Sequence, residues 1–229
     1  MRRPVLLLAV VVGPLIAAAM LLVGGGKPTA TVEGDGGNNR LTGTPGPDAM
    51  YGFDGRDTMF GDGGRDTMNG GPDADHVFGG PGIDLVWGTD GDDRLYGGED
   101  SDALLDGYGD DYLKTGGVGG TAIGGPGSDE MVGGYGMDRL DGGPGDDQIS
   151  GASGNDRLEG GGENDRLSGE EGNDSIFGES GHDTMLGGDG DDFIEAVDDV
   201  PNETVDCGPG ANDMASVDTG DDVVDCENF

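Results

Sequence analysis

The chain is expected to be all-β, wound as a right-handed parallel β-solenoid with two nine-residue blocks in each coil. Three observations carry this. From residue 34 to residue 195 the sequence repeats every nine residues through 18 blocks without an insertion. Each block joins six residues rich in Gly, Asp and Pro to three residues with a central aliphatic. The composition also excludes an ordinary packed domain: 53 of 229 residues are Gly and only 32% are hydrophobic, where average Gly usage is about 7%.

Residues 1–23 stand apart from the repeats. Arg2 and Arg3 precede an uncharged, mostly apolar run over residues 4–23. A short basic start followed by an apolar segment reads as an export signal, with Ala17-Ala18-Ala19 or Val23-Gly24-Gly25 as the cleavage site. The alternative is a retained membrane anchor, since about 20 apolar residues span a bilayer. Either reading places the remainder outside the cytosol, secreted or tethered. Residues 24–33 read as a flexible linker.

Within the blocks, position one is Gly in 16 of 18, with Asp106 and Thr115 as exceptions. Position four is Gly in 14, departing at Asp73, Asp100, Val118 and Glu163. Position six is Asp in 16, with Asn39 and Gly120 as exceptions. Position eight is Leu, Ile, Val or Met in 17, with Ala122 as the exception. The Gly/Asp/Pro half suits a tight turn with positive φ angles. The other half makes a very short strand whose central side chain points inward. One block buries almost nothing by itself, but stacked blocks align the aliphatics into a continuous core. Two blocks per coil give two parallel sheets with a turn along each edge, and block n lies about 4.8 Å from block n+2.

This stacking aligns the position-six carboxylates along the two edges. The candidate metal ligands are Asp48, Asp57, Asp66, Asp75, Asp84, Asp93, Asp102, Asp111, Asp129, Asp138, Asp147, Asp156, Asp165, Asp174, Asp183 and Asp192. Carboxylates about 5 Å apart repel unless a cation lies between them. Hard oxygen ligands in a loose turn suit Ca²⁺ better than Mg²⁺, which demands a rigid octahedron. Zinc is disfavoured, because the two histidines, His76 and His182, are far apart in sequence. Thirteen same-edge pairs of blocks have Asp in both members, so about a dozen ions are expected if each pair bounds one. With 48 acidic against 11 basic residues the formal charge is -37. A chain so charged and so rich in Gly is expected to be unfolded without calcium and folded with it.

The blocks resemble the RTX (repeats-in-toxin) nonapeptide family, whose unit is G-G-x-G-x-D-x-U-x with U aliphatic. Gly79-Gly80-Pro81-Gly82-Ile83-Asp84-Leu85-Val86-Trp87 matches throughout, as do residues 142–150 and 187–195. The resemblance implies a parallel β-roll with Ca²⁺ in the turns between alternate units. It implies that the position-six Asp ligates through its carboxylate and that Gly-rich positions supply backbone carbonyls. Many members carry a catalytic or toxic domain upstream and a C-terminal export signal. Here the signal is N-terminal and nothing of domain size precedes the repeats, so that activity does not transfer. Residues 106–123 keep the spacing but lose the chemistry at Thr115, Val118, Gly120 and Ala122. Two outcomes are open there: a weak, calcium-free, bent seam, or drift in sequence with the coil continuing.

Residues 196–229 read as a C-terminal capping segment. Cys207 and Cys226 lie 19 residues apart, one more than a coil of 18. One extra residue within 211–213 would bring them a coil apart, within reach of a disulfide. Such a bridge suits an oxidising exterior. The rival is a reactive or metal-binding pair.

Position nine holds Tyr51, Phe60, Phe78, Trp87 and Tyr96. Two blocks per coil place Phe60, Phe78 and Tyr96 in a ladder on one outer face. The bland reading is cross-strand packing; the functional one is a grip for an extracellular glycan or surface partner. The methionines at 50, 59, 68, 131 and 185 fall at core positions. Arg139, Arg157 and Arg166 are expected to balance the acidic turns, and His182 to be a solvated turn residue. No HExxH or G-x-S-x-G motif is present, and the Asp residues are absorbed by calcium, so a non-enzyme is expected; a hydrolase with an unrecognised site is the minor alternative. Nucleic acid is excluded by like charge, and the outward Thr and Asn rows of an ice-binding face are missing. The sequence thus describes an exported calcium-binding module, structural or adhesive, that touches a membrane only if residues 4–23 persist as an anchor.

Overall fold

The computed structural model describes residues 28–198, 200, 201 and 203–227. The segment read as export signal or anchor, residues 1–23, lies outside them. Among the described residues every regular element is a strand, 22 in all. No helix there is long and apolar enough to cross a membrane.

The strands alternate between two 11-stranded parallel sheets, odd-numbered strands in one and even-numbered in the other. The molecule is a β-solenoid of about 11 coils. The expected pairing holds: Met50 lies beside Met68 and Val77 beside Leu95, each 18 residues on. In β4 (Thr58–Phe60) the central Met59 is buried and its neighbours are half-buried. The same alternation puts every position-eight residue from Leu41 to Ile194 in the core, including Met50, Met68, Met131, Met185 and the exceptional Ala122. The core is therefore one row of side chains per sheet, pressed face to face.

The turns need residues without a Cβ at particular points. Gly82 has φ +132°, and a side chain there would collide with the Gly64 carbonyl of the coil below. At Glu163, in the same block position, a bulky residue is forced to φ 73°.

The coil extends beyond the 18 blocks at both ends. β1 (Ala30–Glu33) pairs with β3 (Asp48–Tyr51), so residues 30–33 belong to the solenoid rather than to the linker read over 24–33. Val32 supplies the inward side chain, and the Ala30 amide donates to Asp48 Oδ1 at 2.8 Å. At the other end β20 (Thr204–Asp206), β21 (Met214–Val217) and β22 (Asp222–Val224) continue both sheets. The segment read as a cap is further coil. Its spacing is uneven: Thr184 pairs with Thr204, Phe193 with Met214, and Thr204 with Asp222. The extra residue expected within 211–213 is there, but the next turn is one residue short and β22 returns to the 18-residue register. Cys207 and Cys226 form a disulfide with Cα atoms 5.2 Å apart, closing the last coil.

Through the irregular stretch β9 (Ala103–Leu105), β10 (Tyr112–Gly116) and β11 (Thr121–Ile123) carry on without a register shift. Leu104, Ala122 and Leu140 stack in one row. Of the two outcomes left open for this stretch, the coil continues.

Candidate metal centre

Strand pairing alone places the position-six aspartates at the corner where each turn enters a strand. All sixteen are buried, with 3% exposure or less. They are also linked to one another. The backbone amide of Asp57 donates to Asp75 Oδ1, Asp75 to Asp93, and Asp93 to Asp111, at 2.6–2.8 Å. The opposite edge repeats this from Asp48 through Asp66 and Asp84 to Asp102. Each carboxylate thus spends one oxygen holding the coil beneath it.

The second oxygen is the chemically telling one. In fourteen of the sixteen, Oδ2 is buried and has no hydrogen-bond partner; the exceptions are Asp48 and Asp138. A buried unpaired anionic oxygen is costly and calls for an explanation. The space beside it is built for something other than a side chain. A methyl placed on Gly61 would strike both Asp66 Oδ2 and the Gly79 carbonyl oxygen, and one on Gly160 would meet Asp165 Oδ2 and the Gly178 carbonyl. Carboxylate and carbonyl oxygens converge on the same glycine-lined hollow, corner after corner. The donor set is all oxygen, which is the chemistry calcium takes.

Electrostatics point the same way. Burial, reinforced by the flanking carboxylates, pushes the Asp66 carboxyl up to about 7, and the same causes push Asp75 to about 8. Burial likewise takes Asp84 to about 6. The amide donated to each works against these shifts without cancelling them. Two charges about 5 Å apart cost about 3 kcal/mol at an effective dielectric near 20, so a row of them needs protons or cations.

Asp48 and Asp138 have the same position but different surroundings. Asp48 accepts from the Ala30 and Thr44 amides and the Thr44 hydroxyl. Asp138 faces the block in which position six is Gly120. There the Thr115 hydroxyl and the Gly120 amide donate to Oδ1 at 2.7 Å, and the Gly134 amide donates to Oδ2 at 3.2 Å. Protein donors fill the place of the missing repeat chemistry.

The row also runs past the sixteen. Glu203 and Asp213 occupy the corresponding corners of the last coils, each 0% exposed. Both Glu203 carboxylate oxygens lack hydrogen-bond partners. The Asp192 amide donates to Asp213 Oδ1 at 2.8 Å, continuing the ladder. The uneven spacing after residue 195 hid both from a fixed nine-residue frame. The signal that finds them is the aliphatic two residues on, Val205 and Ala215, each buried in the core.

Outside the corners, the aromatic ladder forms as expected. Phe60 and Phe78 stack at 5.0 Å, Phe78 and Tyr96 at 4.8 Å, both with planes 5° apart. The Arg40 guanidinium lies 4.2 Å over the Phe60 ring. Arg139 and Arg157 do not balance the turns. Arg139 and Arg157 both pair with Glu159 on the face of one sheet, and Arg157 also lies 3.9 Å over the Phe177 ring. Arg166 sits on β16 (Arg166–Glu171), beside Gln148 and Thr184. Arg139 and Arg157 thus find their partner on the strand face rather than in the turns. His182 is exposed in its turn.

No curated protein matches the chain. The RTX calcium-binding nonapeptide repeat matches in four copies, over residues 33–68, 69–104, 123–158 and 159–194. The copies skip the stretch whose position-one and position-six chemistry is degraded. With well over half the chain covered and the paired rows of buried carboxylates in place, the protein belongs to the RTX calcium-binding nonapeptide repeat family.

Proposed function

We propose that this protein is an exported module whose folding is driven by Ca²⁺ at the corners of the coil. The observation that carries the reading is the row of unpartnered Asp Oδ2 atoms facing glycine carbonyls. In this reading the fourteen aspartates with an open oxygen are ligands, while Asp48 and Asp138 are held by protein donors. Oδ1 positions each carboxylate by accepting the amide of the coil below. Oδ2 and the glycine carbonyl offer the metal its oxygens. Bound calcium neutralises the corner charges; about a dozen ions would offset most of the net charge of -37. Such a chain stays open where free calcium is scarce and stiffens where it is plentiful, which fits export through residues 1–23. Calcium titration followed by far-UV circular dichroism tests this. At about pH 8 strand signal is expected to appear with calcium and vanish with a chelator; a compact, cooperative fold in excess chelator at that pH would overturn it.

A second reading assigns the Phe60/Phe78/Tyr96 ladder to glycan or wall-polymer adhesion. Its support is the regular, half-exposed stack of parallel rings. Against it, Arg40 already covers one end. Glycan-array binding lost in Phe78→Ala, with calcium-dependent folding retained, is the outcome expected of an adhesin.

A further inference from the structure

One corner of the solenoid departs from all the others. Asp106 stands at position one of its block, where 16 of 18 blocks have glycine. A methyl built on Gly88, one coil below, would strike Asp106 Oδ1 and Asp93 Oδ2. At ordinary corners the corresponding clash is with a glycine carbonyl and an Asp Oδ2. The Asp106 carboxylate has therefore moved in where a backbone carbonyl stands elsewhere. It is held there by the Thr89 amide at 3.2 Å and the Gly107 amide at 3.0 Å, both on Oδ1.

Asp106 thus joins Asp93 and Asp111, which are an ordinary stacked pair of the same edge. One oxygen from each of the three lies within 4.8 Å of the others. That spread is about twice a calcium–oxygen bond, so one ion can touch all three. Asp93 is 1% exposed and Asp111 3%. The Oδ2 atoms of all three are buried and unpartnered. Among the described residues, none of the ion pairs involves them.

We propose that Asp93, Asp106 and Asp111 form a three-carboxylate cation site, the tightest in the molecule. This rests on the calcium reading above but is not part of the repeat chemistry: it exists because Asp106 breaks the repeat. A third anionic oxygen beside the two stacked carboxylates strengthens attraction for a hard cation, most of all a trivalent one. It also gives the irregular stretch, whose opposite edge is held at Asp138 by protein donors alone, one corner of above-average cation affinity.

The lone tryptophan provides the probe, since Trp87 directly precedes Gly88. Terbium is added stepwise to the calcium-loaded protein, and Tb³⁺ luminescence is read with excitation through Trp87. Wild type is expected to reach a first plateau near one equivalent. D106G restores the family glycine and removes the third carboxylate; it should need at least tenfold more Tb³⁺ for the same signal. D106N should fall between them. D110N removes an exposed charge in the same turn and should match wild type. Circular dichroism at saturating calcium checks the fold of each variant, and if D106G fails to reach the wild-type signal the comparison is read on D106N. Equal titrations for wild type and the Asp106 variants, or an equal weakening in D110N, would overturn the proposal. Calcium-dependent folding in all variants would meanwhile leave the calcium reading intact, so the two failures are distinguishable.

Discussion

Glu163 shows how much one backbone position demands. It stands where fourteen of eighteen blocks carry glycine, with φ 73° and an exposed side chain. A left-handed conformation costs a non-glycine residue about 1–2 kcal/mol. Glu163→Gly is therefore expected to stabilise the calcium-loaded protein by about 1 kcal/mol, read as a higher melting temperature. The corner aspartates make the opposite kind of demand. In Asp165→Asn the remaining carbonyl oxygen can still accept the Asp147 amide, bonded at 2.8 Å in the native chain. What is lost is the charged Oδ2. The fold at saturating calcium should survive, while the calcium midpoint rises several-fold, on the order of tenfold. Leu167→Ala, at a core position that is 0% exposed, should instead cost about 2–5 kcal/mol at any calcium concentration. Comparing the two variants separates metal-borne from packing-borne stability.

At the scale of the element, the last coil and the irregular stretch behave differently. β20 and β22 pair in the 18-residue register, and the Cys207–Cys226 disulfide ties the chain after β22 back to the end of β20. β22 is an edge strand of its sheet, and edges fray first. Replacing both cysteines with serine is expected to cost about 2–4 kcal/mol. Hydrogen exchange should localise the loss to residues 204–227 while the amides of β14 (Gln148–Ser153) stay protected. In the irregular stretch no extra covalent link is needed, because the hydrogen bonds on Asp138 come from Thr115, Gly120 and Gly134. The seam that the degraded motif suggested is closed by a buried threonine hydroxyl, and the strand register never breaks.

At the scale of the molecule, the row of buried carboxyls governs pH dependence. Burial raises Asp66 to about 7, Asp75 to about 8 and Asp84 to about 6, from 3.8. The metal-free folded chain therefore binds protons that the unfolded chain releases. That proton-borne stability is fully present below about pH 4 and is lost as pH rises through 6 to 8. In metal-depleted buffer, strand signal is expected to grow as pH falls from 8 to 5. If calcium takes these oxygens as proposed, it competes with protons for them, so calcium binding should release protons and its midpoint should weaken over the same fall in pH. A calcium midpoint unchanged between pH 5 and 8 would separate the metal from these carboxyls.

Much of this architecture was legible in the repeat itself. Nine-residue spacing with glycine, aspartate and an aliphatic at fixed places settles two blocks per coil, the core row from Leu41 to Ile194 and the corner aspartates, because all three follow from local backbone period and side-chain alternation. The ends were not legible. Glu203 and Asp213 serve the coil without the spacing that announces it, since strand pairing tolerates a turn one or two residues longer or shorter provided the inward residue is kept; Val32 keeps the spacing, nine residues before Leu41, but its block has Ala30 where the corner Asp belongs. Nor could spacing say which oxygen each aspartate leaves open, that Asp138 is satisfied by Thr115, or that Asp106 joins Asp93 and Asp111. Those facts depend on contacts between coils, where residues distant in the chain are brought within a hydrogen bond of one another, and a repeat describes a coil only in terms of itself.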